Sequence, residues 1–237
     1  VACQTCHIPH YAKENPTKMW WDWSTAGRHT EDGKMIKNKD DRGFLTYMTK
    51  KGTFEYEKNV EPEYTWFNGT ADHTLPTDKF KDTSKVIDLN PLFGSYADGK
   101  IIPVKMHRGK LIFDPVNHNF IVPDLFGGKA SYWKTYDWNK AAQSGMDSLG
   151  LDYSGEYAFV ETKMNWPLNH MVAPKEKSLS CKECHSPDGR LKDLDGFYMP
   201  GRNKYASVDI LGIALILISL GGSLFHGILR IIRSNKN

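Results

Sequence analysis

The sequence predicts a mainly α fold with long irregular segments and a few short strands, closed by one C-terminal membrane-spanning helix. Three observations carry this expectation. The chain holds two copies of CxxCH, "CQTCH" at Cys3–His7 and "CKECH" at Cys181–His185, which together use all four cysteines. From Ile210 to Leu229, "ILGIALILISLGGSLFHGIL" runs 20 residues without a formal charge. The remainder is polar and loop-rich, with only 40% hydrophobic residues in 237 and a negative mean hydropathy.

Two cysteines separated by two residues and followed at once by histidine have the spacing for covalent attachment of a c-type haem. The thiols add to the porphyrin vinyl groups, and the adjacent histidine becomes the proximal iron ligand. Cys3, Cys6 and His7 form one such set, and Cys181, Cys184 and His185 the other. The competing readings are a four-cysteine zinc site, which uses the same CxxC knuckles, and a pair of disulfides. Neither requires a histidine after each pair. With 9 His in 237 residues, both following positions would be histidine by chance in roughly one case in 700. The expected cofactor is therefore haem c, two groups on this chain.

A haem that only cycles electrons needs a second axial ligand. His10, His29, His73, His107, His118, His170 and His226 remain to supply it. His107 in "VKMHRGK" and His170 in "NWPLNHMVAPKE" stand out, the first because Arg108 beside it suits a haem propionate, the second because it lies just upstream of the second motif. Met106 and Met171 are alternative axial ligands that would raise the potential. The metal ligands expected are thus His7, His185, His107 and His170.

Along the chain, "PTKMWWDWSTAG" packs Trp20, Trp21 and Trp23 into four residues, a core or haem-packing wall. "GTFEYEKNV" alternates as a short strand, and "KLIFDPVNHNFIVP" reads as two extended segments around a turn. Residues 136–149 are the expected long soluble helix, ending at Gly150. The "NGT" at Asn68 matches a glycosylation acceptor, a pattern common by chance. No phosphate-cradling glycine loop or paired catalytic carboxylates appear, and the net charge of +3 with scattered Lys and Arg predicts no nucleic-acid partner.

As a helix, the uncharged run at the end is about 30 Å long, which matches a bilayer core. Arg230, Arg233 and Lys236 follow it without an acidic residue, which favours a cytoplasmic C-terminus. The expected organisation is a dihaem cytochrome domain at 1–205, an anchor helix at 206–233 and a cytoplasmic tail at 234–237. The haem domain then lies on the periplasmic face, with lipid as one partner. Ser219, Ser223 and Gly227 recur every four residues, a stripe along which a partner helix can approach. His226 within the span has three readings: ligand to a b-type haem in a partner, proton exchange with a quinone, or a hydrogen bond to a neighbouring helix. An integral membrane cytochrome b or a quinone-reactive subunit is accordingly an expected partner.

"VACQTCHIP", "PTKMWWDWSTAG", "PEYTWFNGT", "HRGK" and "NHMVAPKE" followed by "CKECH" resemble the C-terminal part of the octahaem c-type cytochromes of the tetrathionate reductase family, over roughly residues 1 to 200. The resemblance implies ligation mostly by two histidines, with His107 and His170 on family positions for distal ligands, and implies periplasmic reduction of tetrathionate, nitrite or hydroxylamine. The family carries eight haem motifs, whereas two stand here, and its lysine-ligated substrate haem belongs to the earlier part. This chain is accordingly expected to be the tail of a longer protein or a split subunit, with another haem-bearing chain or segment as partner. No catalytic residue is expected in it, the catalytic haem lying elsewhere. The competing class is a self-contained dihaem electron-transfer protein.

Overall fold

The computed structural model describes residues 1–234. Helix accounts for 26% and strand for 25%, so the mainly α expectation is corrected to a mixed fold built on one nine-stranded sheet. The physical reason lies between the two CxxCH motifs. Runs such as TKMWWD, LTYM, GTFEYE and EYTWF are rich in Thr and aromatic residues, which fit a pleated, half-buried surface, and each becomes a strand. The helices at the motifs are only 5 and 4 residues long, whereas the C-terminal helix alone holds 29.

The chain divides into two compact units, Val1–Leu179 and the residues from Ser180 onward. The first unit opens with α1 (Cys3–His7) and then supplies the sheet: β1 (Thr17–Asp22), β2 (Lys37–Lys39), β3 (Leu45–Met48), β4 (Gly52–Glu57), β5 (Glu63–Phe67), β6 (Ile87–Asp88), β7 (Lys100–Asp114), β8 (Asn119–Phe120) and β9 (Ala158–Pro167). Their order is β2-β3-β4-β1-β7-β9-β6, with β5 and β8 also pairing with β7. The 15-residue β7 is the spine. It runs antiparallel to β9 over Val104–Phe113 and to β5 over Lys100–Val104, and parallel to β1 over Arg108–Lys110. Gly109 permits the last pairing, because a Cβ there would stand 2.5 Å from the Trp21 carbonyl oxygen.

Two helices, α2 (Tyr132–Thr135) and α3 (Trp138–Leu149), complete this unit's core. Trp138, Ala141, Ala142 and Met146 recur at helical spacing and pack with Ile112 of β7, Ile121 and Tyr132. Helix α3 starts two residues later than its apolar pattern suggests, because Tyr136 is left-handed (φ 52°) and Asp137 caps the first turn, accepting from the Lys140 amide at 3.1 Å. It ends as expected at Gly150, whose φ of 65° suits glycine. The expected strand in GTFEYE and the turn between two extended segments are both present. At that turn, the buried Asp114 carboxylate accepts from the amides of Val116, Asn117 and Ser154. The tryptophan run forms a wall in which Trp21 stacks on Trp23 at 4.6 Å and Trp23 meets Trp138 edge-on at 6.2 Å.

The second unit holds α4 (Cys181–Cys184), a looped segment and α5 (Ala206–Ser234). No residue of α5 is buried, and by length and composition it can cross a membrane. Of the predicted basic flank, Arg230 and Arg233 lie on α5, while Lys236 and the rest of the 234–237 tail beyond Ser234 lie outside the described residues.

The stacked pair of Trp138 and Tyr132, with ring centroids 3.7 Å apart, closes the core under α3. Trp138→Ala should cost about 3–5 kcal/mol, read as a lower urea midpoint with the denaturant slope retained.

Candidate functional site

The first CxxCH is a helical turn pinned at both ends. The amide of Ala2 and the buried Thr5 hydroxyl both donate to the Ile101 carbonyl, at 3.0 and 2.6 Å, which seats α1 on the start of β7. Ile8, fully buried, anchors its exit. Helical spacing places Cys3 and Cys6 on one face, the first exposed and the second half-buried. The far side of the motif is clasped by the segment after β9: the amide of Ala173 donates to the His7 carbonyl at 2.6 Å, and that of Leu179 to the Cys6 carbonyl at 2.9 Å.

The same segment sets the histidine ring. His7 Nδ1 lies 2.9 Å from the Ala173 carbonyl oxygen. A carbonyl only accepts, so Nδ1 carries the proton and Nε2 keeps the lone pair that a metal requires. A histidine that ligates a metal is almost always oriented in this manner, through its other nitrogen.

The second CxxCH, in the other unit, arrives at the same geometry by different means. Ser180 and Glu183 form a capping box at the start of α4: Glu183 accepts from the Ser180 amide at 2.8 Å and from its hydroxyl at 3.1 Å. These contacts and the nearby Arg190 cation hold the Glu183 carboxyl below its ordinary range. His185 Nδ1 lies 3.0 Å from the Pro200 carbonyl oxygen, which again leaves the Nε2 lone pair available. Gly201, at φ 86°, makes this possible, since a Cβ there would stand 2.3 Å from the His185 carbonyl oxygen. The Arg202 guanidinium ties the loop down through the carbonyls of Leu191, Leu194 and Phe197. None of the four cysteines is in a disulfide. Two motifs with helically placed thiols, each with a pre-oriented imidazole, fit covalent haem.

The predicted distal ligands differ in setting. His107 sits half-buried on β7, and burial, followed by the cations of Lys105 and Lys18, pushes its imidazole down to about 4, opposed in part by a hydrogen bond to the Lys18 backbone. At neutral pH the ring is uncharged, the form that binds a metal. His170 is exposed, three residues before the Ala173 that clasps His7. Arg108 is already engaged: its two terminal nitrogens meet both Glu63 carboxylate oxygens at 2.7 and 2.8 Å, so it is not the free cation that the sequence suggested for a propionate. The cations facing His107 are Lys18 and Lys105, which sequence reasoning passed over. The signal was available in the strand period, because residues two apart share a face, which places Lys105 with His107 and Arg108 opposite.

Of the remaining histidines, His29 is held by the Gly27 carbonyl through Nδ1 at 2.8 Å and lies edge-on to Tyr136. His10 lies 3.7 Å from Glu61. His118 takes a left-handed turn conformation after β7, His73 is exposed, and His226 lies on α5.

A family model for bacterial cytochrome c matches residues 18–188. Among solved structures, the octahaem cytochrome c from Shewanella oneidensis is 46% identical in sequence and superposes with a TM-score of 0.74, over 82% of this chain and 44% of that one. This chain thus spans less than half the length of the octahaem protein it matches. A search of curated proteins finds no significant match. With the family model covering most of its length, and with CxxCH motifs of this geometry, the chain belongs to the bacterial cytochrome c family, which holds haem c through covalent thioether bonds.

Proposed function

We propose that this chain is the membrane-anchored electron-transfer portion of an octahaem reductase of the tetrathionate, nitrite or hydroxylamine type. It links a quinone-reactive or cytochrome b partner in the membrane to a catalytic haem carried by another segment or chain. The observation that carries this reading is the shared setting of His7 and His185, each with Nδ1 on a backbone carbonyl and Nε2 left for iron. The similarity to the octahaem cytochrome of Shewanella oneidensis supports the larger assembly.

In this reading Cys3 and Cys6, with His7, hold one haem, and Cys181 and Cys184, with His185, hold a second, while His107 and His170 supply distal ligands. When bound, haem c supplies a one-electron couple at iron. The protein contributes fixed geometry. The clasps on the two proximal histidines prevent their rings from turning, and the burial and neighbouring cations of His107 keep its imidazole neutral. With His107 and His170 as second ligands, the irons would be closed to substrate, and the two haems would serve as relay sites.

The anchoring part of the proposal assigns residues 1–205 to the extracytoplasmic face and 206–233 to the bilayer. The length, apolar composition and exposed faces of α5 support it. So does family membership, since c-type haems are attached outside the cytoplasm. The full chain should resist extraction from membranes by alkaline carbonate, and a version ending at Lys204 should be released. Equal release of both would remove the anchor.

Haem loading and ligation are tested together. Produced in a host that attaches c-type haem, the chain should carry two haems by intact mass, and Cys6→Ala or Cys184→Ala should carry one. His107→Ala should convert one low-spin haem to a high-spin form that binds added imidazole. An unchanged low-spin spectrum in a fully loaded variant would remove His107 from the ligand set.

A further inference from the structure

Within the first unit a cavity of about 620 Å³ opens between the segment after α1 and the segment after β9. That volume is in the range of small-molecule sites. Tyr11, Leu168, Met171 and Val172 give it apolar walls, and Lys13, Glu14 and Lys105 its charged groups. Neither haem motif lines it, and no site has so far been assigned to it.

Among the described residues none of these three groups is ion-paired, but Lys13 and Glu14 are exposed to water, whereas Lys105 is not. It is half-buried on β7, its ammonium donates to the Thr17 hydroxyl at 2.5 Å, and among the described residues no carboxylate lies within ion-pair distance of it. Its neighbour Lys18 is differently placed. That ammonium sits 3.4 Å from the Trp21 ring centroid and 4.4 Å from that of Phe54, so aromatic faces stabilise it. Arg108 is neutralised by Glu63. A partly buried cation held by one hydroxyl is unfavourable unless an anion joins it. Apolar walls beside such a cation define a ligand with an apolar body and an anionic end.

We propose that this cavity binds a carboxylate or similar oxoanion borne on an apolar body, with Lys105 as its counter-charge and Lys13 assisting at the rim. Two sources offer that chemistry: a haem propionate edge, or a free organic anion. The first rests on the haem reading above and the second does not. The bounding segments suit the first source, because Lys105 is two residues from His107, and His170, though not itself in the lining, lies in sequence between the lining residues Leu168 and Met171.

The test uses the full chain, produced with haem attachment, as wild type, Lys105→Met, Lys13→Met and Lys18→Met. Each sample is measured for haem mass, for reduction potentials by spectroelectrochemistry, and for benzoate binding by calorimetry. With a propionate in the cavity, Lys105→Met lowers one potential, Lys13→Met lowers it less, Lys18→Met has a smaller effect than Lys105→Met, and benzoate does not bind wild type. With a free anion as ligand, benzoate binds wild type saturably, and Lys105→Met weakens it at least tenfold. Equal potential shifts from Lys105→Met and Lys18→Met without benzoate binding would mean a diffuse field and overturn the proposal. So would benzoate binding unchanged by Lys105→Met, or the absence of both effects. A chain without covalent haem would show that failure by mass alone, leaving the benzoate measurement decisive for the cavity.

Discussion

A strand as long as Lys100–Asp114 cannot leave its amides and carbonyls unpaired in a buried position, and most of the first unit follows from satisfying it. One edge is taken by β9 over ten residues, and the other is shared by β5 and β1. The start of the strand then has a carbonyl, that of Ile101, free to receive the amide and hydroxyl that seat the first CxxCH turn. Its middle carries His107 between the cations of Lys105 and Lys18, and its end carries the Asp114 turn. One constraint therefore positions the N-terminal motif, a distal-ligand candidate and the half-buried Lys105.

The two CxxCH motifs have a common chemistry and unrelated supports. His7 is oriented by a carbonyl 166 residues away in sequence, whereas the carbonyl that orients His185 is 15 residues away. The first support is built by chain segments meeting across the sheet. The second is a local loop stiffened by a capping box, a left-handed glycine and an arginine that bonds three carbonyls. In both, a neutral backbone acceptor fixes the proton on Nδ1. A carboxylate in that place would make the imidazole more basic, so the backbone carbonyl also sets the basicity of Nε2.

Several elements are legible in the sequence alone. The α3 pattern, its glycine stop, the GTFEYE strand and the apolar C-terminal helix all announce themselves through local periodicity. The overall balance was misread, because two motif helices and one apolar run were weighed above a long stretch of short alternating segments. Such segments are ambiguous singly. They become a sheet only when strands far apart in sequence meet, as Trp20 does with Arg108 and Ile87 with Thr162. Arg108 shows the same limit at a single residue: next to His107 in sequence, it lies on the opposite face of the strand and is bound to Glu63.

By itself, the sequence determined what depends on covalent spacing and local period. That covers the two CxxC pairs with their adjacent histidines, the helix that stops at Gly150, and a terminal helix apolar enough for a bilayer. Only the tertiary structure decided which carbonyl orients each CxxCH histidine, which cations face His107, and that Lys105 has no carboxylate at ion-pair distance among the described residues, beside a cavity. The reason is physical. Bond lengths and helical rise act over a few residues, whereas hydrogen-bond and charge partners are set by the folding of distant segments onto one strand.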